Sequence, residues 1–123
     1  MSTPRRRLGE WGEALAAQAL AARGYTILAR NWRTARGEID IVARDGDCYA
    51  FVEVKARRGH ITQRPEDALT PAKARRLAEL AQAYLAEQGL EDASWRLDLV
   101  AIELDARGGL ARLEVFPGVG VLE

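Results

Sequence analysis

GEIDIVARDGDCYAFVEVKAR, residues 37–57, decides the fold. Two apolar, β-branched runs flank Asp45-Gly46-Asp47, so the stretch predicts an antiparallel hairpin of EIDIVARD and CYAFVEVKARR closed by a tight turn. If Gly46 and Asp47 form a two-residue loop, Asp45 pairs with Cys48 and Asp40 is set opposite Glu53, on one face with Lys55. Val52 and Val54 then turn the other way, into core. A three-residue loop would reverse that parity unless a bulge restored it. Charges inside such strands are costly unless something pairs with them, so function is sought here first.

Two carboxylates about 5 Å apart on neighbouring strands repel each other unless a cation sits between them. Mg²⁺ suits the place, with Mn²⁺ as substitute, because it is hard, prefers oxygen and keeps water and phosphate as further ligands. Lys55, two residues beyond Glu53, would orient or deprotonate a metal-bound water, or stabilise charge developing at phosphorus. That constellation is one for phosphodiester hydrolysis. The plainer alternative is an exposed sheet face on which Asp40 and Glu53 pair with Lys55 or nearby arginines.

Outward from the hairpin, the remaining elements follow from caps and periodicity. Thr3-Pro4 can cap a helix that runs through RLGEWGEALAAQALAAR to Gly24, with alanine on nearly every side implying close packing. YTILARNW reads as a strand and TARG as the turn after it. Residues 57–70, RRGHITQRPEDALT, have turn composition. Thr70-Pro71 then opens a second helix with an apolar stripe of Leu77, Leu80, Ala81, Tyr84 and Leu85, ended by Gly89. WRLDLVAIELD and LARLEVF are two further strands about an Ala106–Gly109 turn. The order αβββαββ predicts one α/β domain over residues 1–123: a mixed sheet flanked by helices, its third and fourth strands side by side and parallel through the second helix.

Composition narrows the function classes. With 48% hydrophobic and 29% charged residues, and no apolar run near the ~20 residues needed to cross a bilayer, no membrane role is expected. The N-terminus lacks the apolar core of a secretory signal, so a cytoplasmic location is expected. One cysteine, Cys48, and one histidine, His60, exclude an internal disulfide and the usual four-ligand zinc site. The net charge of zero hides a split: residues 1–76 carry 15 Lys/Arg against 9 Asp/Glu, and residues 77–123 carry 3 against 9. A polyanion-binding face opposite an acidic one would account for it, as would a well-mixed folded surface. Sixteen of the eighteen basic residues are arginine, so Lys55 and Lys73 stand out as compact, titratable ammonium groups.

Asp40, Glu53-x-Lys55 after one hairpin and an acid on the preceding helix together resemble the PD-(D/E)XK nuclease superfamily. Its restriction-endonuclease-like αβββαβ core is matched here with one strand added. More narrowly, G-E-x-x-A beginning at Gly12, N-x-R at Asn31–Arg33, GEID at Gly37–Asp40, FVEVKAR at Phe51–Arg57 and RLDLV at Arg96–Val100 resemble the YraN family of predicted bacterial endonucleases. That family is similar to archaeal Holliday-junction resolvases. The resemblance covers nearly the whole chain. It implies Asp40 and Glu53 as Mg²⁺ ligands, the Val54 carbonyl as a third, Glu13 as the helix-borne acid and Lys55 as the catalytic lysine. It also implies a branched or structured DNA substrate and a homodimer that cuts two strands symmetrically.

Beyond that set, Glu10 is more simply an acid near a helix start. Asp98 could reach the cluster or cap an arginine. Arg33, Arg36, Arg57, Arg58, Arg64 and Lys73 lie near the site in sequence and are candidate phosphate contacts, each with solvated loop charge as its plain alternative. Trp11, Trp32 and Trp95 are spaced as core or edge residues. Three function classes stay open: a metal-dependent endonuclease, a non-catalytic nucleic-acid-binding module on a nuclease scaffold, and a protein-interaction domain. Metal-dependent cleavage marks the first, steeply salt-dependent binding without cleavage the second, and no nucleic-acid affinity the third.

Overall fold

The computed structural model describes residues 4–58 and 69–119, with side chains from Leu8 onward. Helix α1 (Pro4–Ala22) leads into β1 (Thr26–Thr34), β2 (Gly37–Asp45) and β3 (Cys48–Arg58); α2 (Pro71–Glu87), β4 (Trp95–Leu104) and β5 (Leu110–Phe116) follow. The five strands form one mixed sheet in the order β1-β2-β3-β4-β5. β3 and β4 are parallel and the other neighbours antiparallel. The expected α/β class and element order are therefore observed. β1 runs to Thr34, past the expected Trp32, and a two-residue turn replaces the longer TARG loop. Its last residues are polar because β1 is an edge strand, so no apolar alternation signals the extension.

Alternation along the strands supplies two cores, one per face. Phe51 and Leu97 pack with Leu77, Ala81 and Tyr84 of α2, whereas Val52, Val100 and Ile102 pack with Ala16 and Leu20 of α1. α2 is fixed at its start by Thr70, whose side chain accepts the Lys73 N–H at 3.2 Å. Trp32 and Trp95 are half-buried and pack against the α2-side core: Trp32 meets Tyr84 edge-on at 5.4 Å and Trp95 meets Phe51 at 6.1 Å. Trp11, on α1, is exposed.

The β2–β3 turn settles the hairpin's parity. Gly46, at φ +61°, is the first of two loop residues, where a positive φ suits the twist of the strands. Asp45 pairs with Cys48, and the register holds through Ile41↔Val52. In β1 and β2, by contrast, alternation breaks. Ile39 and Val42 share the α2-side core with Trp32 and Ala29, although Ile41 lies on the α1 side. Between the pairs Trp32↔Ile39 and Arg30↔Ile41 stand Asn31 and Asp40, and Asn31 has φ +55°. A left-handed residue inside an extended strand re-aims the chain there. Both strands step through the same kink, and Asp40 sits in it.

Candidate functional site

β2 and β3 part at the kink. Their regular pairing ends at Ile41↔Val52, one step before Asp40 would meet Glu53. The Val54 N–H instead donates to Asp40 Oδ2 at 2.8 Å, so a side-chain carboxylate takes the role of a ladder carbonyl. This modifies the expected face-to-face pairing of Asp40 with Glu53: the carboxylate lies in the opening between the strands and is tied to the next residue of β3.

The acids gather around it. Carboxylate oxygens of Glu13, Glu38 and Asp40 all lie within 4.8 Å of one another. Burial first, and then the Glu53 charge, push the Asp40 carboxyl up to about 7 from its ordinary 3.8; Glu13 and Glu38 act in the same direction, and the Val54 N–H bond opposes them. Glu13 is also raised, by burial and then by Glu38, against a hydrogen bond from the Asn31 side chain and the Arg30 charge. Asn31 therefore has two roles, making the kink with its backbone and holding Glu13 with its side chain. Lys55 Nζ lies 3.4 Å from Glu53 Oε1, both groups partly exposed.

Three half-buried carboxylates this close suit a hard divalent cation. Opposite oxygens of an octahedral Mg²⁺ site stand about 4 Å apart, so only small side-chain adjustments separate Glu13, Glu38 and Asp40 from a common ion. Glu38 was not singled out in the sequence, although it stands in GEID two residues before Asp40, at the spacing that returns to one strand face. Glu53 lies outside this close trio and acts on Asp40 through its charge.

The other predicted residues are dispersed. Arg33 pairs with Glu38 at 3.3 Å while its side chain stays mostly exposed. Arg36 and Arg76 line a half-open groove of about 550 Å³ between the β1–β2 turn and α2. Arg57 and Arg58 are exposed at the end of β3, and Lys73 is exposed on the first turn of α2. Arg64 and His60 lie outside the described residues.

Asp98 does not join the cluster. It is fully buried and accepts from Arg96 Nε at 2.9 Å, Arg96 Nη2 at 3.3 Å, Tyr25 Oη at 3.1 Å and the Gly118 N–H at 3.0 Å. Arg96 Nη2 also reaches Asp45 at 3.0 Å and Tyr25 Oη at 2.7 Å. Of the two roles open to Asp98, the structure selects the capping of an arginine.

Comparison with known proteins adds the family. A family model described as "Uncharacterised protein family UPF0102" matches residues 12–102. A UPF0102 protein of Roseiflexus castenholzii is 50% identical over 119 residues, 95% of each chain. Another, of Symbiobacterium thermophilum, is 51% identical over 105 residues, 85% of this chain and 89% of its own. A third, of Streptomyces coelicolor, is 48% identical over 103 residues, 82% and 79%. Among solved structures, Pyrococcus furiosus SfsA in complex with Ca²⁺ aligns with a TM-score of 0.42 and 14% identity; the match spans 97% of this chain and 65% of that one. Among the described residues, no helix is long and apolar enough to cross a membrane.

Proposed function

We propose, for a chain that belongs to the uncharacterised protein family UPF0102, a divalent-metal-dependent endonuclease of the PD-(D/E)XK kind acting on branched or structured DNA. The observation that carries this is Asp40: a half-buried carboxyl among Glu13, Glu38 and Glu53, its ionisation opposed by each of them. A fold gains nothing from gathering mutually repelling acids unless a cation offsets them. Ion pairs account for two of these acids, Glu53 with Lys55 and Glu38 with the mostly exposed Arg33; Glu13, Glu38 and Asp40 nevertheless stay crowded within 4.8 Å of one another.

Glu13, Glu38 and Asp40 would hold the ion, with Glu53 beside them. Val54 contributes through its backbone. Its N–H points to Asp40, and in an extended strand the C=O of the same residue turns to the same side, which supports the Val54 carbonyl as a further oxygen donor. When bound, Mg²⁺ or Mn²⁺ supplies Lewis acidity toward a phosphate oxygen and a water of lowered pKa.

Lys55 is anchored by Glu53 yet partly open to solvent, so its ammonium can meet an entering phosphate oxygen or orient the attacking water. Arg57 and Arg58 continue the same strand into solvent, while Arg33 and Arg36 extend the basic margin along β1 and its turn. These groups would position the sugar-phosphate backbone and carry no sequence preference. Branched substrate and symmetric cutting by a homodimer rest on the family resemblance.

The test is cleavage of a labelled four-way junction and its matched linear duplex by wild type and Lys55→Ala, with Mn²⁺, Mg²⁺ or EDTA. Metal-dependent cutting that the substitution abolishes is the expected result. Salt-sensitive binding of the junction without cutting under any metal would replace the enzyme with a binding module. Affinity no greater than that of an unrelated neutral protein would leave a protein-interaction domain.

A further inference from the structure

Gly12 stands where α1 comes closest to the sheet. A Cβ built on it would lie 2.8 Å from Ala56 Cβ, with Ile102 Cδ1 at 3.8 Å and Val54 Cγ1 at 4.0 Å. Methyl groups do not approach to 2.8 Å, so something would have to move. Ala56 has no rotamer through which to withdraw, because its Cβ is fixed to the backbone of a central strand paired with Ile102 of β4. The helix is the movable partner. Further along the same helical face, Ala16 and Leu20 are fully buried and hold α1 at its far half, so a methyl at position 12 would lift the N-terminal half away from β3.

Glu13 is the next residue. Its carboxylate lies within 4.8 Å of both Glu38 and Asp40, and it is the one acid of that trio borne by a helix. Its reach into the strand-borne acids therefore depends on how closely α1 approaches. We infer that Gly12 is a positioning residue, whose missing side chain lets α1 seat against Ala56 and thereby delivers Glu13 to the acidic cluster. The inference deepens the metal-site reading and rests on it for its functional meaning.

Reciprocal exchange of the two methyl positions tests it. Mn²⁺ affinity is read from the electron paramagnetic resonance signal of the free ion, with circular dichroism confirming the fold, for wild type, Gly12→Ala, Ala56→Gly and the double variant. Gly12→Ala should weaken Mn²⁺ binding at least about tenfold, the range for groups that orient a metal ligand. Ala56→Gly alone should stay close to wild type, and the double variant should recover most of the loss because the clash is removed from the other side. A folded Gly12→Ala protein with undiminished affinity, or a folded double variant as weak as Gly12→Ala, overturns the inference.

Should Gly12→Ala fail to fold, the double variant decides alone: restored folding with Mn²⁺ binding supports the inference, and restored folding without it sinks it. If wild type itself binds no Mn²⁺, the metal reading is what has failed. Crystal structures of wild type, Gly12→Ala and the double variant then judge the positioning claim separately. Glu13 withdrawn from Glu38 in the single variant and returned in the double supports it; an unmoved Glu13 refutes it.

Discussion

Asp98, fully buried, and Asp40, half-buried, are acids on inner strands of one sheet, and they are handled in opposite ways. Asp98 is enclosed by donors: a guanidinium, a phenol and a backbone amide. Its principal partner, Arg96, is held well above its ordinary pKa, chiefly by that hydrogen bond, and its guanidinium also stacks 5.6 Å above the Tyr25 ring. Asp40 has the Val54 N–H and is otherwise pressed by Glu53, Glu13 and Glu38. A buried charge that serves architecture is supplied with partners of opposite sign. On the proposed reading, Asp40 depends instead on a cation from outside the chain.

The sharpest way to break this contrast is to remove each acid in turn. Asp98→Ala strips the buried partner from Arg96 and should cost on the order of 3–5 kcal/mol in urea unfolding. The Mn²⁺ affinity of its remaining folded fraction should be unchanged. Asp40→Asn should do the reverse, abolishing Mn²⁺ binding and cleavage while making the metal-free protein more stable at pH 8. Equal destabilisation by both substitutions would erase the distinction.

The pH dependence has a definite sign. Asp40 titrates near 7 in the folded chain against its ordinary 3.8, so between those values the folded protein keeps a proton that the unfolded chain has released. Stability is therefore greatest below about pH 4 on this group's account and falls as pH rises toward 7, by up to about 4 kcal/mol. Glu13, also raised, adds to the same slope. Unfolding of wild type at pH 4.5 and pH 7.5 should show the fall, and Asp40→Asn should flatten it. Mn²⁺ at about 100 times its dissociation constant should return roughly 2.7 kcal/mol to wild type at pH 7.5, and nothing to Asp40→Asn.

Smaller effects refine the picture. Lys55→Ala should lower the cleavage rate by about 100-fold or more while changing stability by less than about 1 kcal/mol, since the Lys55–Glu53 pair is partly exposed. Arg57→Ala should leave folding and metal binding alone and reduce the salt slope of junction binding by about one. An unchanged slope would remove Arg57 from the phosphate contacts.

Much of the sheet is legible in the sequence because its signals are local. Gly46 fixes the loop, the loop fixes Asp45↔Cys48, and period-two alternation then runs along β3 without interruption. Asp40, Glu53 and Lys55 are conspicuous as charges within apolar runs. Glu38 is not, because it stands at a strand end, where an acid is unremarkable. The kink escapes for a physical reason: nothing in NWR announces that Asn31 takes a left-handed conformation, and IDIVA reads as unbroken alternation although Ile39 and Val42 share one core. The Asp98 network escapes because its members, Tyr25, Asp45, Arg96 and Gly118, meet only once the sheet is assembled.

The strand order carries a consequence for synthesis. Every strand lies beside its neighbour in sequence, and the three strand-borne acids Glu38, Asp40 and Glu53 all belong to the β1–β3 meander. Such near-neighbour pairings close short loops and form fast. As the chain leaves the ribosome, the acidic cleft can therefore take shape before β4 exists to brace it. Asp98 and Arg96 lie on β4 and emerge later, so every acid of the cluster leaves the ribosome before the ion pair that braces the sheet's other half.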